Sequence, residues 1–368
     1  MKKTLLATAI VGAMGATAAA QAATVYDQDG TKLDIYGRIA LGIAGGGSEY
    51  TDTGVERNAD ADFVDAYSRL GLNLTHDITS DLTGFGRLEW RFRADGDDNR
   101  FDAFHETRQS YLGLKSKQFG TIQAGNFDAF YNQFVSLPFD VYIDRGLEFA
   151  GHPTQSRGDS IGYYTPEMSG FTAFLQAKHY SNRGTTFAET TDADGNVTNN
   201  QDAVDEDTTV AAQGGVRYAT GPLTLGLGFV DDVEEAGGNS NDEMLYGATA
   251  AYAFTDAFSA RLGYETRDNN DDRADNAAGV SKNGYDTWGI GASYATGQWA
   301  FNVDYYNVDL DDAGSRDSWA AGAYYTVSSN FNVFAEVQDA DAPTLDRDVT
   351  LGDLTDDVYW ITGARYMF

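Results

Sequence analysis

The chain has 368 residues, 56 Asp and Glu against 25 Lys and Arg, a formal charge of −31 and no cysteine. An acidic balance of this size repels phosphates and excludes a nucleic-acid partner, and without cysteine there is no disulfide framework. Mean hydropathy is negative, which excludes a helical membrane protein but not a strand barrel, where half the strand residues face water.

The chain opens with Met1-Lys2-Lys3 and an uncharged stretch from Thr4 to Ala22 that closes on the small-x-small site Ala20-Gln21-Ala22. This pattern predicts an export signal over 1–22, cleaved before Ala23, and one continuous unit over 23–368. Past Ala23, short alternating segments are joined by two kinds of connection. Tight turns are predicted at 79–82, 115–120, 165–170, 220–222, 255–257, 295–297 and 328–330. Long Gly-, Asn- and Asp-rich connections are predicted at 45–61, 95–103, 127–155, 181–209, 231–242, 268–284, 309–316 and 339–357. Together they join sixteen strands. An even strand number, with short turns at one end and long loops at the other, is the plan of a transmembrane antiparallel β-barrel.

The alternation supports this all-β reading. Leu33, Ile35, Ile39, Leu41 and Ile43 share one face and oppose Asp34, Tyr36 and Arg38. Leu88, Trp90 and Phe92 oppose Arg87, Glu89, Arg91 and Arg93. Phe258, Ala260, Leu262 and Tyr264 oppose Arg261, Glu265 and Arg267. The last strand sets Trp360, Thr362, Ala364, Tyr366 and Phe368 against Tyr359, Gly363 and Arg365. Charge therefore keeps to one phase, and Arg87, Arg91, Arg93, Arg261 and Arg365 are expected to face the water inside. A soluble sandwich would pack its apolar faces together instead; sixteen strands enclose an aqueous channel.

Two connections are longest and differ in kind. Segment 181–209 has one aromatic, Phe187, and seven acids. Segment 127–155 carries Phe127, Phe130, Tyr131, Phe134, Phe139, Tyr142 and Phe149 with five aliphatic residues. Each such side chain gains roughly 1.5–3 kcal/mol on burial, so this segment is expected to fold into the barrel and narrow it. Its acids Asp140, Asp144 and Glu148 then project into the channel.

The opening at Ala23-Thr24-Val25-Tyr26 and Asp29 to Arg38 resembles that of Gram-negative general diffusion porins. So do Tyr67-Ser68-Arg69-Leu70-Gly71, Ser80-Asp81-Leu82-Thr83-Gly84, Thr107-Arg108, Leu112-Gly113-Leu114-Lys115 and the end Tyr366-Met367-Phe368. The resemblance implies a homotrimer in the cell outer membrane, among lipid and lipopolysaccharide, that passes ions and small hydrophilic solutes. It implies a basic wall at Arg38, Arg69, Arg108 and Arg157 facing acids of the third loop. The family's third-loop signature is represented here only by Leu137-Pro138-Phe139-Asp140.

No catalytic constellation is expected: His76, His105, His152 and His179 lie in no nucleophile motif. The acid runs 192–196 and 309–314 lack the ligand register and terminal Glu of a calcium loop, so neither metal nor cofactor is expected. The alternative is a sugar-type porin with an aromatic track, since 22 tyrosines are available; an outer-membrane barrel enzyme is a minor one. Acid-rich segments 181–209 and 339–357 predict an outer mouth that concentrates cations, partly offset by the arginines inside, hence a modest cation preference.

Overall fold

The computed structural model describes residues 22–47, 59–96, 104, 106–151, 153, 157–181, 190–191, 197–198, 209–233, 241–270, 284–311, 314–339 and 358–368. The export signal, His105 and His152, and most of segments 181–209 and 339–357 lie outside the described residues.

The strands are β1 Ala23–Gln28, β2 Thr31–Gly46, β3 Asp62–Asp65, β4 Arg69–Asp77, β5 Leu82–Arg91, β6 Glu106–Ser116, β7 Gly120–Asn126, β8 Ser160–Tyr164, β9 Phe171–Tyr180, β10 Thr190–Thr191, β11 Val197–Thr198, β12 Thr209–Thr220, β13 Leu223–Asp232, β14 Glu243–Ala253, β15 Phe258–Arg267, β16 Tyr285–Thr296, β17 Trp299–Leu310, β18 Gly314–Ser328, β19 Phe331–Gln338 and β20 Tyr359–Met367. β10 and β11 pair only with each other. The others form one antiparallel sheet that closes where β2 pairs with both β4 and β20. β3 and β4 form one interrupted stave. The barrel therefore has sixteen staves, and all seven predicted turns fall between consecutive strands.

β1 was not foreseen as a strand. It folds back on β2 through Asp29 and Gly30, both at positive φ, 51° and 73°. Asp-Gly is the pair that a two-residue type I′ hairpin requires. β1 pairs with residues 31–35 of β2 and β20 with residues 38–46, so the two occupy one line beside β2.

The barrel is inside-out relative to a soluble core. Outward Leu112 and Leu262 are 68% and 61% exposed, whereas inward Arg365, Glu89 and Gln176 are buried. Such an apolar exterior matches lipid. Exposed aromatics stand at both strand ends, among them Tyr294, Trp299 and Tyr366 near the turns and Tyr246, Tyr264 and Trp288 at the other end. This is the girdle arrangement of transmembrane barrels.

The described residues 127–151 of segment 127–155 fold into the barrel, with a π-turn at Asn132–Ser136 and a 3-10 turn at Leu137–Phe139. Phe127, Phe130, Tyr131 and Val135 pack on Phe174, Val230 and Leu245. Phe139 and Phe149 pack on Tyr306, and Ile143 joins Tyr324, Phe334 and Ile361. The loop thus covers much of the inner faces of β9 and β12–β20, touches β6 and β8 through Phe127 and Phe130, and leaves most of the wall β2–β7 open.

Candidate pore constriction

A water space of about 1380 Å³ runs between the open wall and the loop. Arg38, Arg69, Arg87, Arg91 and Arg108 border it from the open wall, Arg157 and the β20 residue Arg365 flank them, and Asp128, Asp140, Asp144, Arg145 and Glu148 border it from the loop.

Register explains why the arginines gather. Arg38 lies opposite Arg69, and Arg69 opposite Arg91. Like charges directly across a ladder repel, so a counter-charge is needed. Glu89, fully buried, supplies it. Its carboxylate accepts from Tyr36 Oη at 2.7 Å, Arg87 Nη2 at 3.0 Å, Arg69 Nη1 at 3.4 Å and from Arg108. Tyr36 reaches Glu89 across the middle strand because Gly71 stands between them in register; a Cβ at Gly71 would lie 2.2 Å from the Tyr36 ring.

Arg38 is held differently. Between β3 and β4 the chain bends at Tyr67, φ 66°, and Ser68 bonds back to the Ala40 backbone. The bend offers the Tyr67 carbonyl to Arg38 Nε at 2.8 Å. Arg108 and Arg157 meet on Asp128 at 3.0 and 3.5 Å, and Arg157 and Arg91 meet on Glu106 at 2.9 Å each. Glu89 and Glu106 on the wall and Asp128 on the loop root hold the arginine array. Asp128 was not foreseen; its signal was its place just after β7, beside the aromatic run.

The three expected loop acids have different surroundings. Asp140 is exposed to the water space, and its carboxylate has no bonded partner among the described residues. Asp144 accepts from Tyr359 Oη at 2.6 Å. Glu148 is bonded to Arg316 and Ser318 on β18. Of the other expected lumen charges, Arg87, Arg91 and Arg365 border the water space. Arg93 pairs with Asp95 at 2.6 Å. Arg261 is inward but sealed beneath the loop, 3% exposed. It is paired with Asp304 at 2.8 and 2.6 Å, under the Phe139 ring. His76 bonds to Thr31 at 2.7 Å beside a turn.

The described residues around the water space carry more than twice as many basic as acidic side chains. Acids are plentiful at the strand ends on the long-connection side, among them Asp60, Asp62, Asp242, Asp309 and Asp317.

The family described as Gram-negative porin matches residues 7–344. A monosaccharide porin from a Halomonas species is 29% identical over 91% of this chain and 89% of its own length. Outer membrane porin F of Salmonella typhimurium is 31% identical over 49% of this chain and 45% of its own length. Among solved structures, an anion-selective porin from Comamonas acidovorans shares the fold with a TM-score of 0.65 at 20% identity, covering 92% of this chain and all of that one. Salmonella typhi OmpF in complex with daunomycin gives 0.63 at 18%, covering 94% and 100%. The chain belongs to the Gram-negative porin family and is an outer-membrane general diffusion porin, a water-filled barrel for passive passage of small hydrophilic solutes.

Proposed function

We propose that solutes are sorted at a constriction between Arg38, Arg69, Arg108 and Arg157 on the wall and Asp140, Asp144 and Glu148 on the inward loop, with a modest preference for cations. The observation that carries the reading is that both sets border the same water space. Opposed charges across a narrow water path create a transverse field that orients dipolar solutes and penalises apolar ones. The cation preference draws on the acid-rich strand ends and on loop sequences 181–209 and 339–357, each with seven acids and one arginine. It is opposed by the basic lining inside, hence modest. A reversal potential across a planar membrane in a potassium chloride gradient tests it; a chloride-favouring value at low salt would overturn it.

A second reading is a sugar-type porin. The Halomonas relative carries that description, and Phe85, Tyr111 and Tyr164 border the water space. Liposome swelling with sugars of matched mass separates the two, because a general pore sorts by size alone. Three further properties belong to the proposal. Residues 1–22 are removed on export, which N-terminal sequencing of the membrane form checks. Three copies assemble, as in the trimer form of OmpT from Vibrio cholerae, which the mass of the detergent-extracted protein checks. The chain acts as a channel without enzymatic activity, in contact with outer-membrane lipid and lipopolysaccharide.

A further inference from the structure

Toward the short-turn end of the lumen the arginine wall gives way to a different surface. On β6, Tyr111, Gly113 and Lys115 take successive inward positions, while Leu112 and Leu114 point out and are exposed. Gly113 leaves a flat floor. A Cβ there would lie 2.4 Å from the Phe85 ring, so that ring lies over the glycine. Tyr111 meets Phe85 edge-on, with centroids 6.2 Å apart at 80°. The inward loop adds Leu137, 40% exposed, and Phe134, whose ring stacks on Phe174 at 5.0 Å and tilts against Tyr164 at 5.5 Å. Phe85, Tyr111, Lys115, Phe134 and Leu137 all border the same water space.

Two features need a reason. Inward positions of a water-filled barrel are ordinarily polar, yet here apolar side chains border the water. In addition, the Lys115 ammonium is exposed and has no ion pair or hydrogen bond among the described residues, unlike the arginines nearer the constriction. Register sets the scale. Lys115 lies opposite Thr83 and Gly113 opposite Phe85, so Lys115 and Phe85 are diagonal neighbours on one face, roughly 7–8 Å apart. That spacing suits one aromatic ring with a carboxylate at its edge.

We propose that this surface is a weak binding site for aromatic carboxylates in transit. The ring lies against Phe85 and the carboxylate meets Lys115. A sugar ring could stack on the same surface, but it carries no charge to meet the Lys115 ammonium. The proposal rests on the open pore described above and is independent of its small-ion preference.

The test uses the full porin in planar membranes with benzoate, acetate, benzyl alcohol or glucose added at equal concentration. Benzoate is expected to reduce the open-channel current in a saturable way, and the other three much less. Lys115→Gln should weaken the benzoate block about two- to fivefold, the range of an exposed ion pair. Phe85→Leu should weaken it while keeping the charge. Potassium chloride conductance in the same membranes reports whether the pore itself is open. A conducting channel that benzoate affects no more than acetate overturns the site and leaves the pore intact. So does a block that both variants leave unchanged, or a stronger block by glucose.

Discussion

The two inner walls of this barrel are made by the same alternation and end in opposite states. On the wall under the loop, polar groups are sealed and matched: Arg261 with Asp304 and Arg267 with Asp232. Carboxylates there also hold the loop itself. Glu336 accepts from the Ile143 and Asp144 backbone at 2.7 and 3.1 Å and from Tyr324 Oη. Glu265 accepts from Tyr131 Oη at 2.7 Å and the Ala150 backbone at 2.8 Å. On the open wall, arginines outnumber the carboxylates that hold them, and the surplus charge faces water. Both walls use one device: an inward glycine on a middle strand lets the flanking strands' side chains meet. Gly71 does so between Tyr36 and Glu89, and Gly291 between Arg261 and Asp304. The difference lies in solvent. Where the loop covers the wall, charge serves anchoring; where it does not, charge acts on the permeating solute.

The most damaging way to break this comparison is at Glu89. In Glu89→Gln, three guanidinium groups surround an uncharged amide. Removing one partner of a buried ion pair costs about 3–5 kcal/mol. The variant should dissociate at lower temperature in a heated-gel assay, and any folded fraction should shift its reversal potential toward chloride. Unchanged heat stability together with an unchanged potential would remove Glu89 from the centre of the array.

Unpinning the loop is the next largest effect. Glu336→Gln loses charge-assisted bonds to two backbone amides and a hydroxyl, each worth about 1.5–3 kcal/mol. The apolar contacts of Phe139, Phe149 and Ile143 remain, so the barrel should stay folded while the loop loosens. Single-channel recordings should show added current noise, and protease should cut within 140–150 faster than in the parent. A quiet, resistant variant would mean that apolar packing alone fixes the loop.

How much of this was legible in sequence follows from the same contrast. Alternation and turn chemistry are local, so strand number, the seven turns and the inward phase of Arg38, Arg87 and Arg261 could be read directly. The aromatic load of 127–155 exposed its own burial. Sequence could not say which inward residues that loop would cover, because coverage depends on where the loop travels across strands far apart in the chain. Arg261 and Arg91 look alike as inward arginines, yet one is sealed and the other borders water. Gly71 and Glu89 likewise acquire their roles only through register. The Asp29-Gly30 turn did carry a local signal for β1, which the alternation of a six-residue strand was too short to reinforce.

A third test sets the two walls against each other electrically. Arg38→Gln with Arg69→Gln removes two charges beside water and should raise cation preference severalfold at low salt. Replacing the sealed pair together, Arg261→Met with Asp304→Leu, should leave the reversal potential unchanged, since exchanging a buried pair for packed apolar groups is often near neutral. If the sealed pair moves the potential as much as the open pair, the loop does not insulate its wall.

The smallest expected effect concerns the mouth. Charge in segments 181–209 and 339–357 acts on entering ions only within the screening length, about 8 Å at physiological ionic strength and roughly 30 Å at 0.01 M. The arginine array stands within the water path itself, so salt screens it less. Cation preference should therefore grow on dilution if the mouth contributes, and fade on dilution if the arginines dominate. Neutralising the acids of both segments should flatten the salt dependence while leaving the high-salt potential nearly unchanged. A parent channel that turns toward chloride as salt falls would assign ion preference to the open wall alone and leave the loop acids with no part in permeation.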